Sequence, residues 1–197
     1  LEQEWSPDCL ALLLSEHEPR IVEAAACALG LVGNESNTAA LADLLHHDDV
    51  DVVSAAEEAL QYIAFRSAGE LPQKVLMRLV SSIKEEDSDS AITLITELIR
   101  SHPTYAEAYH QRSHAHCMQS DYERALKDAR RCVELSPYHF NALAIQGHCH
   151  AAMHRHGEAL KIYRQVHQMH PTMTGIDECI DHARRHMSWA GHAHVPA

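Results

Sequence analysis

Aromatic residues make up only 5% of the 197 positions. A β-sandwich would need more of them, together with more Val and Thr. Here Ala and Leu carry most of the apolar content, which is 46% of the chain and favours close-packed helices. Glycine and proline are also scarce, seven of each, and they fall at intervals, like stops between helices. No apolar run reaches the ~18 residues of a transmembrane candidate, and no secretory leader is visible. None of the six cysteines (Cys9, Cys27, Cys117, Cys132, Cys149, Cys179) forms a C-x-x-C pair. Most lie on apolar helical faces, where a free thiol acts as a small hydrophobe. A reducing, cytoplasmic setting without structural disulfides is expected.

Basic residues are missing from the first third. Positions 1–68 hold 13 Asp/Glu against two Lys/Arg, whereas 69–197 are nearly balanced. The acidic part should repel nucleic acid and anionic membrane, so neither is expected as a partner. Histidine is skewed the other way, with three of 18 before residue 69. The second half should therefore gain positive charge as pH falls toward 6. Chemistry is sparse. There is no phosphate-cradling glycine loop, no G-x-S-x-G and no H-E-x-x-H. No catalytic residue and no cofactor are expected, and the chain reads as a non-enzyme.

What is present is repetition. Pro103, Pro137 and Pro171 are spaced by 34 residues, as are Ala91, Ala125 and Ala159. Two further columns keep that step: Ile95, Ala129, Tyr163 and Leu98, Cys132, Val166. Each unit divides into two helical stretches. The first carries Val75, Tyr109 or Leu143, followed four later by Leu79, Ser113 or Gly147, where a small side chain lets two backbones approach. Proline closes the unit because it cannot continue a helix. Residues 20–33 and 51–64 repeat at a different offset, 31: Val22 matches Val53, Ala24-Ala25 match Ala55-Ala56, and Leu29 matches Leu60.

The 34-residue units resemble the tetratricopeptide repeat (TPR) family. The match is best in 106–139, with Tyr109, Ala125 and Pro137, and clear in 140–173, with Gly147, Ala159, Tyr163 and Pro171. Unit 72–105 is degenerate, with Leu79 at the small position. Residues 174–188 look like the capping helix such arrays need, with Ile176, Ile180 and Ala183 on one face. Residues 189–197 are read as a frayed tail. The 31-residue pattern resembles HEAT repeats of the phycobilisome-lyase type, within a domain spanning 1–68. The connection 66–72 is short, with Pro72 suited to a first helical position. The expected fold is all-α: a right-handed α-α superhelix of about eleven antiparallel helices.

The resemblance implies a function. In TPR arrays the first helix of each unit lines the concave face, where ligands bind. Transferred residue by residue, that face holds Met77, Glu107, His110, Gln111, His114, Asn141, Ile145 and His148. The cationic clamp that some members use for chaperone carboxylates would fall on Leu76, Val80, Gln111, Asn141 and Ile145, none of them basic. The leading reading is a non-enzymatic scaffold for a protein or peptide, with no carboxylate clamp. One alternative is a His-rich metal-binding or metalloenzyme module built on His110, His114, His148 and Glu107. Another is an interaction arm of a larger protein, since the chain begins at Leu1 rather than Met. Oligomeric state is not legible.

Overall fold

Ala- and Leu-rich segments bracketed by capping residues become helices throughout the described part of the computed structural model, residues 6–84 and 88–192. The order is α1 (Pro7–Leu13), α2 (Pro19–Val32), a 3-10 turn (Glu35–Asn37), α3 (Thr38–Asp43), a second 3-10 turn (Leu44–His46) and α4 (Val50–Arg66). It continues with α5 (Glu70–Lys84), α6 (Ser88–Ser101), α7 (Ala106–Met118), α8 (Tyr122–Leu135), α9 (Phe140–Ala152), α10 (His156–Met169) and α11 (Ile176–His192). Eleven α-helices and no strand occur among the described residues. The chain forms two compact units, one ending at Val75 and the next beginning at Leu76. The division lies inside α5, past the 68/69 boundary expected from composition.

In the first unit α2 and α4 lie against each other. Pro19 opens α2, where its missing N–H costs nothing, and the Asp49 carboxylate caps α4 by accepting from Asp51 N–H at 2.9 Å. The 31-residue columns are core: Val22, Ala25, Leu29, Val53, Ala56 and Leu60 are all buried. Ala24 is the exception and is exposed. Gly30 lets the two helices close, since a Cβ there would sit 3.2 Å from Ala59 Cα. Arg66 donates to the carbonyls of Gly30 and Gly33, satisfying orphan acceptors at the end of α2. Helix α5 starts at Glu70, two residues before Pro72. Proline is tolerated there because N–H groups of the first turn have no helical partner.

In the second unit, consecutive helices from α6 to α11 pack in order. Ala91, Ala125 and Ala159 are buried, as are Ile95, Ala129, Tyr163 and Leu98, Cys132, Val166. The carbonyls of that last column each accept the N–H four residues on, from His102, Ser136 and His170, at 2.8–2.9 Å. Each proline stands two residues beyond a helix end. Helix α11 presents Ile176, Ile180 and Ala183 to α10, as the capping-helix reading requires, but runs on to His192. The tail expected from 189 therefore starts as helix; 193–197 lie outside the described residues.

The turns inside two units share a left-handed residue, Ser120 at φ 59° and His154 at φ 58°. After α7, Asp121 N–H reaches His116 O at 2.9 Å and Ser120 N–H reaches Cys117 O at 2.9 Å, a Schellman closure. Arg155 and His154 repeat it after α9. A side chain at positive φ is strained, so Ser120→Gly raises stability by about 0.5–1 kcal/mol, net of glycine's extra unfolded entropy. Urea denaturation of the full chain checks this.

Candidate functional site

The expected groove residues fall into two classes. Met77 and His114 are exposed, and Gln111 and Asn141 are half-buried. His148 is exposed, with its Nδ1 2.9 Å from the Tyr163 hydroxyl. Ile145, by contrast, is 9% exposed and packs on Ala125, Leu126 and Ala129 of α8. Glu107 is 2% exposed. Neither offers an open surface, which corrects the sequence reading: i, i+3, i+4 spacing names a helix stripe but not how far the next helix covers it. Leu76, at one clamp position, is likewise fully buried.

Glu107 instead organises the face from beneath. Its Oε1 accepts from Gln111 Nε2 at 2.6 Å and faces His110 Nδ1 at 3.1 Å, one turn away on α7. Its Oε2 faces His139 Nε2 at 2.9 Å. His139 stands at the N-terminus of α9, and its Nδ1 accepts the Ala142 N–H at 3.2 Å. The imidazoles of His110 and His139 lie with centroids 4.5 Å apart. Burial alone would raise the Glu107 pKa, but His110 and His139 together hold it well below the ordinary carboxylate range. Sequence reasoning missed His139, because it belongs to the connection between units and not to a helical stripe. Its place one residue before the next unit was the available signal.

Glu107, His110 and His139 place ligand atoms within 4.8 Å of one another, close enough to share a metal ion. The hydrogen bonds weigh against that use. With Nδ1 accepting from Ala142, the single proton of neutral His139 sits on Nε2, the atom a metal would need. Metal binding would push that proton onto Nδ1 and uncap α9. Burial disfavours a charged His139 ring, while Cys132 and Glu107 favour it and push its pKa up. That second proton would compete for the same capped nitrogen. The trio is a self-satisfied network that fixes His110 and Gln111 in place.

His116 and His150 lie in the last turns of α7 and α9 and are buried. They are 5% and 6% exposed, 34 residues apart, and pack between helices. His116 Nε2 is 3.9 Å from Asp128 Oδ2, and His150 Nε2 is 3.5 Å from Arg130 Nη2. The Nδ1 atoms of both have no hydrogen-bond partner. Burial lowers both pKa values, with Arg130 adding to the effect at His150, and burial lowers His110 as well. Charging these histidines is thus harder in the folded chain than in the unfolded one. The unfolded chain binds their protons first, so their contribution is complete above the unfolded pKa of ~6.5 and is lost as pH falls below it. Glu107 acts in the same direction at lower pH, and His139 in the opposite one. Calorimetry from pH 7.5 to 5.5 should show the thermal midpoint falling by several degrees, and His116→Gln/His150→Gln should flatten that slope.

Cys117 and Cys149, from α7 and α9, bring their sulfurs to 3.5 Å. All six cysteines are free thiols. No helix among the described residues is long and apolar enough to cross a membrane.

With this geometry in hand, comparison with known proteins places both halves. Residues 2–61 match the HEAT repeat family. Small glutamine-rich tetratricopeptide repeat-containing protein 2 of Saccharomyces cerevisiae is 32% identical over 85 residues, 43% of this chain and 25% of that protein. Hsp70-Hsp90 organizing protein 1 of Glycine max is 28% identical over 102 residues, 50% of this chain and 18% of that protein. The chain thus spans about a quarter or less of the length of these curated relatives. Among solved structures, the Sgt2 TPR domain from Aspergillus fumigatus superposes with a TM-score of 0.59 at 18% identity, covering 64% of this chain and 85% of that one. The first TPR domain of Spaghetti (RPAP3), bound to the HSP90 peptide SRMEEVD, gives 0.54 at 18% identity, covering 58% and 94%. The chain is thus similar to HEAT repeats over residues 2–61 and shares the fold of tetratricopeptide helical arrays.

Proposed function

We propose that the chain is a non-enzymatic scaffold whose tetratricopeptide part, read as units 72–105, 106–139 and 140–173, holds a protein or peptide on the face made by α7 and α9. The observation that carries this is the Glu107 network. A buried carboxylate tied to His110, Gln111 and His139 rigidifies a polar surface without supplying a reactive group. Such pre-organisation lowers the ordering cost of binding. The same face offers imidazole and amide groups at His114, His148, Gln111 and Asn141, and none is a fixed cation. The clamp positions of peptide-binding relatives carry Leu76, Val80, Gln111, Asn141 and Ile145, and two of these five are buried. A ligand anchored by a terminal carboxylate has nothing here to pair with. A neutral segment read by hydrogen bonds and packing fits better.

Fluorescence polarisation tests both parts. Labelled SRMEEVD should show no saturable binding; saturable binding would remove the clamp-free reading. A peptide selected from a displayed library against the full chain should lose about tenfold in affinity, ~1.4 kcal/mol, in Gln111→Ala/His114→Ala. Circular dichroism should show that variant folded, with a midpoint lowered by the lost Gln111 hydrogen bond to buried Glu107. Unaltered affinity moves the site off α7 and α9.

A further inference from the structure

Four histidines gather at the other end of the second unit, remote in sequence from the Glu107 network. His154 occupies the left-handed turn after α9, His156 opens α10, and His182 and His186 stand four residues apart on α11. Their ring centroids are 4.4 Å apart for His182–His186, 4.9 Å for His156–His186, 5.9 Å for His154–His156 and 6.3 Å for His156–His182. The rings are exposed or half-buried, and they add nothing to the core beneath, which Ala159, Leu160, Ile176, Ile180 and Ala183 already form.

We infer that this cluster is a binding site for a divalent transition cation of the Zn(II), Ni(II) or Cu(II) type, held by imidazole nitrogens from the α9–α10 turn, α10 and α11. Three features carry it. Histidines at i, i+4 on a helix present two nitrogens to one side, the spacing helical zinc sites use. A third ring, His156, is already beside both, and a fourth, His154, is beside His156. The rings stand partly stacked rather than convergent, and turning an exposed imidazole about its outer torsion is inexpensive because that torsion is broad. His156 Nδ1 has no hydrogen-bond partner, so its lone pair or proton is uncommitted. The donor chemistry selects the ion. Neutral imidazoles suit Zn, Ni and Cu, while Ca(II) and Mg(II) want oxygen. The nearby cation, Arg155, is turned away into an ion pair with Glu123 at 2.7 Å. A bound ion would tie the capping helix α11 to the turn before α10. This inference does not rest on the peptide-binding reading.

Isothermal titration of the full, tag-free chain with ZnCl2 at pH 7.5 tests it. The expected result is one tight equivalent that raises the thermal midpoint by mass action. His182→Ala/His186→Ala should weaken that equivalent by more than the roughly 10–100-fold that loss of an outer-sphere partner costs. His110→Ala, which breaks the Glu107 trio, should leave it unchanged. Cu(II) in place of Zn(II) should show several equatorial nitrogens by electron paramagnetic resonance in the wild type and fewer in the double variant. Helical circular dichroism of both variants verifies folding. Three results would overturn the site: no equivalent tighter than roughly 0.1 mM, wild-type affinity in the double variant, or loss of the tight equivalent in His110→Ala alone.

Discussion

Asp128→Ala lowers the stability of the tetratricopeptide unit by about 3–5 kcal/mol, the cost of leaving a buried ion without its partner. Asp128 lies on α8 and receives both arms of Arg112 from α7, Nε to Oδ2 and Nη2 to Oδ1, each at 2.7 Å. The third guanidinium nitrogen, Nη1, donates to Thr96 Oγ1 of α6 at 2.9 Å. One side chain thus ties three consecutive helices, and both partners are largely shielded from water, at 17% and 7% side-chain exposure. Bidentate geometry makes this the strong form of the interaction. Truncating Asp128 leaves the cation with Thr96 and the Tyr109 ring, and no carboxylate. Arg112→Leu/Asp128→Leu should recover most of the loss, because an apolar pair of similar volume removes both desolvation costs together. Urea denaturation of the two single variants and the double variant, analysed as a cycle, measures the coupling. A single-variant loss under 1 kcal/mol would show that the pair is solvated and contributes little.

Gly147→Ala should cost about 1–3 kcal/mol, the range for overpacking a filled core. A Cβ on Gly147 would stand 2.5 Å from Tyr163 Cε1 and 2.7 Å from Cδ1. Those atoms belong to a ring that is itself buried among Leu143, Ala159 and Val166, so it cannot swing aside. The Tyr163 hydroxyl is also engaged with His148 Nδ1. The clash therefore reaches the exposed face as well as the core. Gly147→Ala/Tyr163→Leu should restore much of the stability, since leucine vacates the space the methyl needs. A thermal midpoint of Gly147→Ala within a degree of wild type would mean that the two backbones part easily at this crossing.

Both effects sit on positions the repeat frame exposes in part. Gly147 is readable from the sequence, because a small residue at that column recurs as Ser113, and a small column marks a close helix crossing. Arg112 was not singled out, as its column is polar in the neighbouring units, with Arg78 and Gln146, and such a stripe reads as solvated. Its significance depends on Asp128 sixteen residues later, and that pairing comes from the way α7 and α8 meet. His139 is a similar case: it lies in a connection, where no periodicity speaks, and only the return of α9 beside α7 brings it to Glu107.

By itself, the sequence determined the all-helical fold, the two repeat periods and the core columns, because these follow from local spacing repeated several times. Each such signal needs only one helix and its neighbour, and the copies average out local noise. Tertiary structure decided which polar groups are withdrawn from water. Glu107 and Ile145, expected on the open face, are withdrawn from it, and Asp128, His116 and His150 are buried as well. It also decided which histidines meet, drawing His154 and His156 to His182 and His186 of α11. Burial and encounter are set by the angle and separation at which whole helices pack, and those quantities come from side chains dispersed over several elements, beyond the reach of any one element's periodicity.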